Sequence, residues 1–369
     1  MVATSWGPAA ASVLHRELLT VAKEFEVVDV ELRVLSMSGL QDSLTRGLAA
    51  GDENRPDLVI VPNAWLGQLA QRGTITELPL SRVAHLQEQL VGQALLAVSD
   101  RDRVLAYPVS AEVFAFVYNP KYFTSPPASI EEILAAALPS DTLPFACDLT
   151  NPFHVVPLLE SLGGIEFTSG DVLTWNKASL IELFRRLAPL WKDEGAWRTC
   201  RGEDLESLQV QLFAEGRLAS FLGGPWLLEA LDKTGQPLAV DPIPSLVKGG
   251  PPVHSLVSYQ CAAVLQQSAW VDLALDLAER LTDRNTNDRL NRLTRRLPVR
   301  ADAYRSQEAV RSAGTVGFLR ALEGGRPLGA TTKSLQALDS LAGLLWQLTL
   351  RTSPPTVEES RTMLESGTL

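Results

Sequence analysis

Asp57-Leu-Val-Ile-Val61 is the stretch on which the reading of the fold turns. It is short, β-branched and unbroken, the pattern of a strand covered on both faces, as in the interior of a parallel sheet. Upstream of it, Leu14, Leu18, Val21 and Phe25 recur at helical spacing. Val28, Val30, Leu32 and Val34 then alternate with Asp29, Glu31 and Arg33, as in a half-buried strand. A second apolar helical stretch, Leu40 to Leu48, ends in Gly51. Strands alternating with helices imply an α/β chain with a parallel sheet, and ligands of such sheets sit beyond the carboxyl ends of the strands. Attention therefore falls on Trp6, on Ser36 to Ser38 and on Asn63 to Trp65.

Downstream, Tyr107-Pro-Val-Ser-Ala-Glu-Val-Phe-Ala-Phe-Val-Tyr-Asn119 reads as an extended crossing segment, after which the alternation starts afresh. Strand-like Pro144 to Cys147 runs into Asn151-Pro152, an N-cap followed by proline at the first helical position. The punctuation returns where strand-like Leu218 to Leu222 meets Gly223-Gly-Pro-Trp226, which sets an indole at a helix opening. Leu180 to Trp191 and Leu205 to Phe213 read as helices, Ser255 to Leu265 as a strand. Trp270, Leu273, Leu277 and Leu281 then mark another helix, as do Ser334 to Leu350 and the residues after Pro354-Pro355.

The 369 residues are 46% apolar and 21% charged, ample for two or three domains and unlike a disordered or collagenous chain. A net charge of -10 argues against a general nucleic-acid binder or a polybasic membrane-surface protein. Cys147, Cys200 and Cys261 lie far apart, without zinc or redox spacing. No apolar run reaches the ~20 residues of a membrane helix. The start lacks a basic segment followed by an apolar one, so the expectation is that an export signal is not present in this chain.

Phosphate-binding glycine loops, dinucleotide fingerprints, zincin helices and nucleophile elbows are not written in the sequence. His15, His85, His154 and His254 are not spaced as metal ligands; His15 and His85 read as solvated or structural, and for His154, just inside the helix opened by Asn151, facing a cleft is the minority reading beside a structural one. No catalytic residue, metal or cofactor is expected.

Four segments carry a resemblance: Pro56-Asp-Leu-Val-Ile-Val with Leu66-Gly-Gln-Leu-Ala-Gln-Arg-Gly-Thr-Ile-Thr-Glu-Leu78; Tyr107 to Asn119; Phe213-Ala-Glu-Gly-Arg-Leu-Ala219 to Trp226; and Leu297-Pro-Val-Arg300. In this order and spacing they resemble the maltose-binding-protein-like solute-binding proteins of ABC sugar importers. The resemblance implies an α/β, two-lobed periplasmic-binding-protein fold with several interlobe crossing strands and the solute enclosed between the lobes. It puts crossings near Val109 to Val113, Val257 to Gln260 and Leu297 to Arg300. Lobe one would hold residues 1–109 and 258–300, and lobe two residues 110–257 and 301–369. The ligand would be a small carbohydrate, captured by hinge closure because it favours the closed form. The implied partner is a membrane permease, the implied location periplasmic or extracellular with or without a lipid anchor. The chain itself would be a monomer that takes no nucleic acid.

By the same resemblance Glu112 is the carboxylate that accepts sugar hydroxyls and Trp226 the indole that stacks on a sugar face. Phe153 keeps the ring of a stacking tyrosine, and Asn151 replaces a carboxylate. Other family contacts are missing: Val61, Ala64 and Trp65 stand where maltose binders carry a tryptophan and an Asp-Arg pair, Ala337 near a second stacking tryptophan, and Gly39 and Gln41 where charged contacts occur. A disaccharide or glycosylated polyol other than maltose fits better, with Trp6, Ser38, Gln41, Asn63, Trp65, Tyr259 and Arg300 as replacement contacts.

Each candidate has a plainer role: Trp226 as a plug at a helix start, Glu112 as the partner of a nearby arginine across the hinge, Arg300 as a brace of the third crossing. Arg284, Arg289, Arg292, Arg295 and Arg296 read as a solvated helix face. Trp175, Trp191, Trp197, Trp270 and Trp346 read as packing residues. The rival functions are a polyamine or sugar-phosphate binder, which needs several pocket carboxylates where only Glu112 is in view, and a glycoside-acting enzyme. The enzyme needs a second carboxylate about 5 to 9.5 Å from Glu112, and the position that might supply it is Ala64.

Overall fold

The computed structural model describes all residues except 27–28, 46–54, 169–171, 191–193, 203, 306–312, 351–355, 357, 360 and 363–369. The chain opens with β1 (Val2–Thr4), α1 (Pro8–Ala22), β2 (Leu32–Val34), α2 (Met37–Thr45) and β3 (Leu58–Pro62). Parallel pairing sets β1 between β2 and β3. Leu58 to Val61 are all buried, as an unbroken apolar run requires. Pro8 takes the first turn of α1, where its missing N–H costs nothing, and Leu14, Leu18 and Val21 bury one face. The chain continues through α3 (Leu66–Gln71), α4 (Leu80–Gln89), α5 (Gly92–Ala97), the short hairpin β4 (Ser99–Asp100) and β5 (Arg103–Val104), and β6 (Tyr107–Val113).

After Phe114 come β7 (Ala115–Tyr118), α6 (Ile130–Leu134), α7 (Pro152–Glu160), the hairpin β8 (Ile165–Thr168) and β9 (Val172–Trp175), α8 (Lys177–Leu187), α9 (Glu194–Trp197), α10 (Leu205–Ala214), β10 (Ser220–Gly223), α11 (Leu228–Asp232) and β11 (Ala239–Asp241). Here the sheet is antiparallel, with β7 between β10 and β11, so the parallel expectation holds for the first strands and not for these. Strand-like Pro144 to Cys147 contributes a parallel bridge from Ala146 to Phe221.

The remaining elements are β12 (Leu256–Val264), α12 (Val271–Arg280), α13 (Arg284–Thr294), α14 (Ala313–Glu323), β13 (Arg326–Pro327) and α15 (Thr332–Thr349). β12 is buried along its whole length and runs antiparallel to β3.

The chain divides into two compact units. Unit 1 comprises Met1–Glu112, Ser258–Ala309 and Pro327–Leu335; unit 2 comprises Val113–Val257, Val310–Arg326 and Gln336–Leu369. Residues 297–300, expected as a crossing, belong to unit 1. The Ala111 N–H donates to the Leu297 carbonyl at 2.8 Å and the Val91 N–H to that of Val299 at 3.0 Å, which stitches this stretch to β6 and to the end of α4. Pro327–Leu335, expected in lobe two, is also part of unit 1. The Asn63 amide donates to the Leu328 carbonyl at 2.7 Å, and a Cβ on Gly67 would lie 2.1 Å from the Ala330 oxygen. The Gln41-containing helix is described only to Thr45, and Trp191 and most of the stretch after Pro355 lie outside the described residues.

In unit 2, α14 lies so close to β11 that a Cβ on Gly317 would meet the Val240 carbonyl oxygen at 2.0 Å. Gly317→Ala must push helix and strand apart, with an expected loss of roughly 1–3 kcal/mol, read by thermal or denaturant unfolding. Among the described residues no helix is long and apolar enough to cross a membrane.

Candidate functional site

Unit 2 gathers aromatic rings around Phe114, the residue between β6 and β7. Trp226 stands edge-on to it with ring centroids 5.2 Å apart, His154 edge-on at 4.2 Å, and Phe153 tilted at 6.3 Å. Two helix openings deliver these rings. At the first, the Asn151 side-chain oxygen accepts the Phe153 N–H at 2.9 Å and caps α7, so the residues after Pro152 leave the cap in fixed directions. At the second, Pro225 opens a short 3-10 turn and the indole of Trp226 folds back over Gly224. A Cβ on Gly224 would lie 2.2 Å from the indole ring, so only glycine leaves room for this pose.

The Trp226 Nε1–H donates to both carboxylate oxygens of Glu206, at 3.1 Å each. Glu206 sits in the first turn of α10, where the helix dipole favours an acid. Burial pushes its carboxyl upward, the Trp226 N–H pulls it back, and the charge of Asp148 pushes it up again. The residue as a whole is exposed, so solvent screens this effect. Asp148 accepts the N–H and the hydroxyl of Thr150 at 2.8 and 2.6 Å, and burial raises its carboxyl as well.

His154 is sealed rather than open to a cleft. Its Nδ1 accepts the Asp148 N–H at 2.8 Å, so the ring proton lies on Nε2, which has no hydrogen-bond partner and whose nearest aromatic neighbour is Phe114. Burial pushes the imidazole down to about 3, so it is neutral at pH 7. The depressed value fixes the sign of its effect. The unfolded chain takes up the proton near 6.5, so His154 leaves stability whole above that pH and removes it as pH falls from 6.5 toward 3, at roughly 1 kcal/mol per pH unit. His154→Asn supplies an oxygen for the Asp148 N–H without a titrating ring. Its unfolding free energy should run flatter than wild type from pH 6.5 to 4; parallel curves would refute the assignment.

Unit 1 holds a second cluster. Burial pushes the Arg296 guanidinium down to about 9; it pairs with the Glu112 carboxylate and stacks 4.3 Å over the Trp6 ring. Gln260 donates its amide to the other Glu112 oxygen at 3.0 Å. Arg296 reaches this place because α13 ends on Arg295 in the left-handed region, φ 55°, which turns the next side chain inward. From α13 the amides of Asn287 and Asn291 grip the Val109 carbonyl at 2.7 and 3.1 Å, fixing β6 alongside. Arg296 is thus no part of a solvated face, and Arg289 forks onto Glu17 of α1.

The other candidates separate by burial. Asn63 is fully buried: its amide donates to the carbonyls of Ala97 and Leu328, its oxygen accepts the Tyr259 N–H, and no hydrogen-bonding capacity of that amide faces outward. Arg300 is 8% exposed and holds Asp302, Gln89 and the Thr282 carbonyl, a brace within unit 1. These two leave the candidate set. Tyr259 is 1% and Trp6 2% exposed, both core residues here, and Trp65 is buried at the start of α3. Ser38 is exposed and Gln41 half-buried on α2, open to solvent from one side. Of the packing tryptophans, Trp197 is sealed, whereas Trp270 and Trp346 are 65% and 50% exposed.

Unit 2 also carries a concavity of about 1150 Å³ between α10, Ser140–Pro144 and Trp346. Phe114, Phe153 and Trp226 do not line it. No group of three or more His, Cys, Asp or Glu side chains arranged to hold a metal occurs among the described residues.

A mixed sheet in unit 1, an antiparallel sheet in unit 2 and a chain that passes repeatedly from one unit to the other are the features by which the fold compares with known proteins. The sequence profile of the bacterial extracellular solute-binding proteins matches residues 21–314, and the chain belongs to that family. A maltotriose-binding protein of Pyrococcus abyssi is 24% identical over 238 residues, 63% of this chain and 51% of that protein. A maltooligosaccharide ABC transporter solute-binding lipoprotein of Streptococcus pneumoniae is 24% identical over 246 residues, 62% of this chain and 56% of that one. The chain thus spans about half the length of these relatives. Among solved structures, the maltotriose-binding protein of Thermus thermophilus superposes with a TM-score of 0.77 at 20% identity, covering 98% of this chain and 97% of that one. The GacH receptor of Streptomyces glaucescens superposes with a TM-score of 0.80 at 16% identity, covering 99% and 96%. The shared fold is the α/β fold of maltose-binding-type proteins.

Phe114, Asp148, Glu206, Gln260 and Arg296 belong to these two clusters and were not among the candidates read from the sequence. A signal existed for Phe114, the one large ring at the break of the alternation in Tyr107 to Asn119. No local pattern marks Glu206 or Asp148.

Proposed function

We propose that the protein is the substrate-binding component of an ABC importer, which captures a small carbohydrate outside the cytoplasm and presents it to a membrane permease without catalysis. The observation that carries this reading is the aromatic wall of unit 2, with the Trp226 indole set by Gly224 and held by Glu206. A flat indole takes the C–H face of a pyranose, and exposed carboxylate lone pairs take its hydroxyls. Trp226, Phe153 and Asn151 in unit 2 and Ser38 and Gln41 in unit 1 are the candidates for sugar contact, with Glu112 acting through its arginine partner. Solute binding would shift a hinge equilibrium, for which the repeated chain passages supply the joints.

Binding is favoured over glycoside cleavage because the two carboxylates associated with the aromatic wall are each fixed by neutral donors, Asp148 by Thr150 and Glu206 by Trp226. Thermal shift against glucose, disaccharides and maltooligosaccharides tests the proposal. A saturable rise in melting temperature with some carbohydrate is expected, and no response to any of them overturns it.

A further inference from the structure

Glu160 closes α7, and its carboxylate takes hold of two stretches of chain that lie far apart in sequence. One oxygen accepts the His254 backbone N–H at 2.7 Å. The other lies 2.9 Å from His254 Nδ1, which places the ring proton on that nitrogen, and 3.1 Å from Arg326 Nη2. The Arg326 N–H in turn donates to the Ser255 carbonyl at 2.8 Å, and its guanidinium lies 4.7 Å over the Phe167 ring of β8. Gly325 shows how closely the two stretches run: a Cβ there would sit 2.4 Å from Val257 Cγ2 and 3.0 Å from the Ser255 oxygen. The Glu160 side chain is only 15% exposed, so these charge-assisted bonds are largely shielded from water.

Both stretches are roots of passages out of unit 2, whose segments end at Val257 and at Arg326. Their own sequence does little to hold them. Pro251 and Pro252 have no N–H to donate, and Gly324-Gly325 is the most permissive backbone a chain can carry. The fixed point is Glu160, on the helix that presents Phe153 to the aromatic wall at its other end. Hinges turn at a few element-terminal residues, and two roots free to turn separately would allow twisting as well as closing. We propose that Glu160 is a positioning residue for solute capture: by clamping His254 and Arg326 together it makes the two passages bend as one ribbon and confines the motion to a single closing swing. Its purpose rests on the capture reading above, while the clamp is testable without any solute.

Spin labels on Leu80→Cys in unit 1 and Lys233→Cys in unit 2, both exposed positions, report the spread of distances between the units by pulsed dipolar spectroscopy. The native Cys147, Cys200 and Cys261 are buried and stay unlabelled. In the full chain without ligand, Glu160→Gln keeps an oxygen for the His254 N–H and loses the charge facing Arg326; it should widen that spread about twofold while chemical unfolding stays near wild type. Arg326→Met keeps the backbone N–H on Ser255 and removes the guanidinium, so it should widen the spread equally and serves where the Glu160 variant does not fold. An unchanged spread in the folded variants overturns the proposal, whatever they lose in melting temperature, because a purely structural tie lowers the melt and leaves the spread alone. The capture reading is judged separately, by the thermal-shift response of the wild-type chain: a widened spread with no carbohydrate response keeps the clamp and removes the capture.

Discussion

Glu112→Ala is expected to lower the stability of the unliganded chain by about 3–5 kcal/mol, a drop in melting temperature on the order of 10 °C. Removing the carboxylate leaves the Arg296 guanidinium, 8% exposed along its side chain, with no anion against it. It also strands the Gln260 amide, which donates to the same carboxylate at 3.0 Å. An uncompensated buried charge is far more costly than the pair is favourable, so a double variant, Glu112→Leu with Arg296→Met, should recover most of the loss. The measurement is a pair of chemical unfolding curves without ligand, followed by the carbohydrate response of each variant. If Glu112 instead met the solute directly, its removal would erase the ligand response and leave the unliganded melt near wild type. A double variant as unstable as the single one would remove the ion pair from the account altogether.

The contrast between Glu112 and Asn63 shows what was legible in the chain. Asn63 follows, and Glu112 lies within, a strand whose existence the apolar patterns announce: Leu58 to Val61 are buried as read, and Tyr107 to Asn119 does run extended through β6 and β7. Periodicity reports which residues are buried along one element. It does not report what lies across from a side chain, and that decided each role. Asn63 faces carbonyls separated from it by 34 and 265 positions in the chain. Arg296 looked like one more arginine on a polar helix, and a single left-handed residue at Arg295 turned it inward onto Trp6. The helix openings fared better because capping is local: Asn151 caps α7, and Pro225 opens its turn as the dipeptides imply. Glu206 was invisible for the opposite reason, as its partner Trp226 is 20 positions away on another element.

Trp226→Ala should weaken carbohydrate binding by roughly 10- to 100-fold, in line with about 1–3 kcal/mol for a stacked aromatic platform, while the unliganded stability falls by no more than about 1.5 kcal/mol. The asymmetry follows from how the indole is held. Within unit 2 it lies over Gly224, approaches Phe114 edge-on and shares one N–H between the two oxygens of Glu206, an exposed residue. Nothing sealed collapses when the ring is removed, and the freed carboxylate meets water. Gly224→Ala reaches the same platform by another route. Its added Cβ would overlap the indole ring at 2.2 Å, so the ring must leave its place over the backbone although every ring atom is still present. Both variants should therefore lose affinity together, with near-native unfolding curves. A Trp226→Phe chain should regain part of the binding, since it restores an aromatic face without the anchoring N–H. If Trp226 were only a plug at the helix start, Trp226→Ala would melt early and bind whatever remained folded with wild-type affinity, and Gly224→Ala would not touch the ligand response. Calorimetry on the folded fraction of each variant separates these outcomes, because stacking is lost from the affinity and packing is lost from the melt.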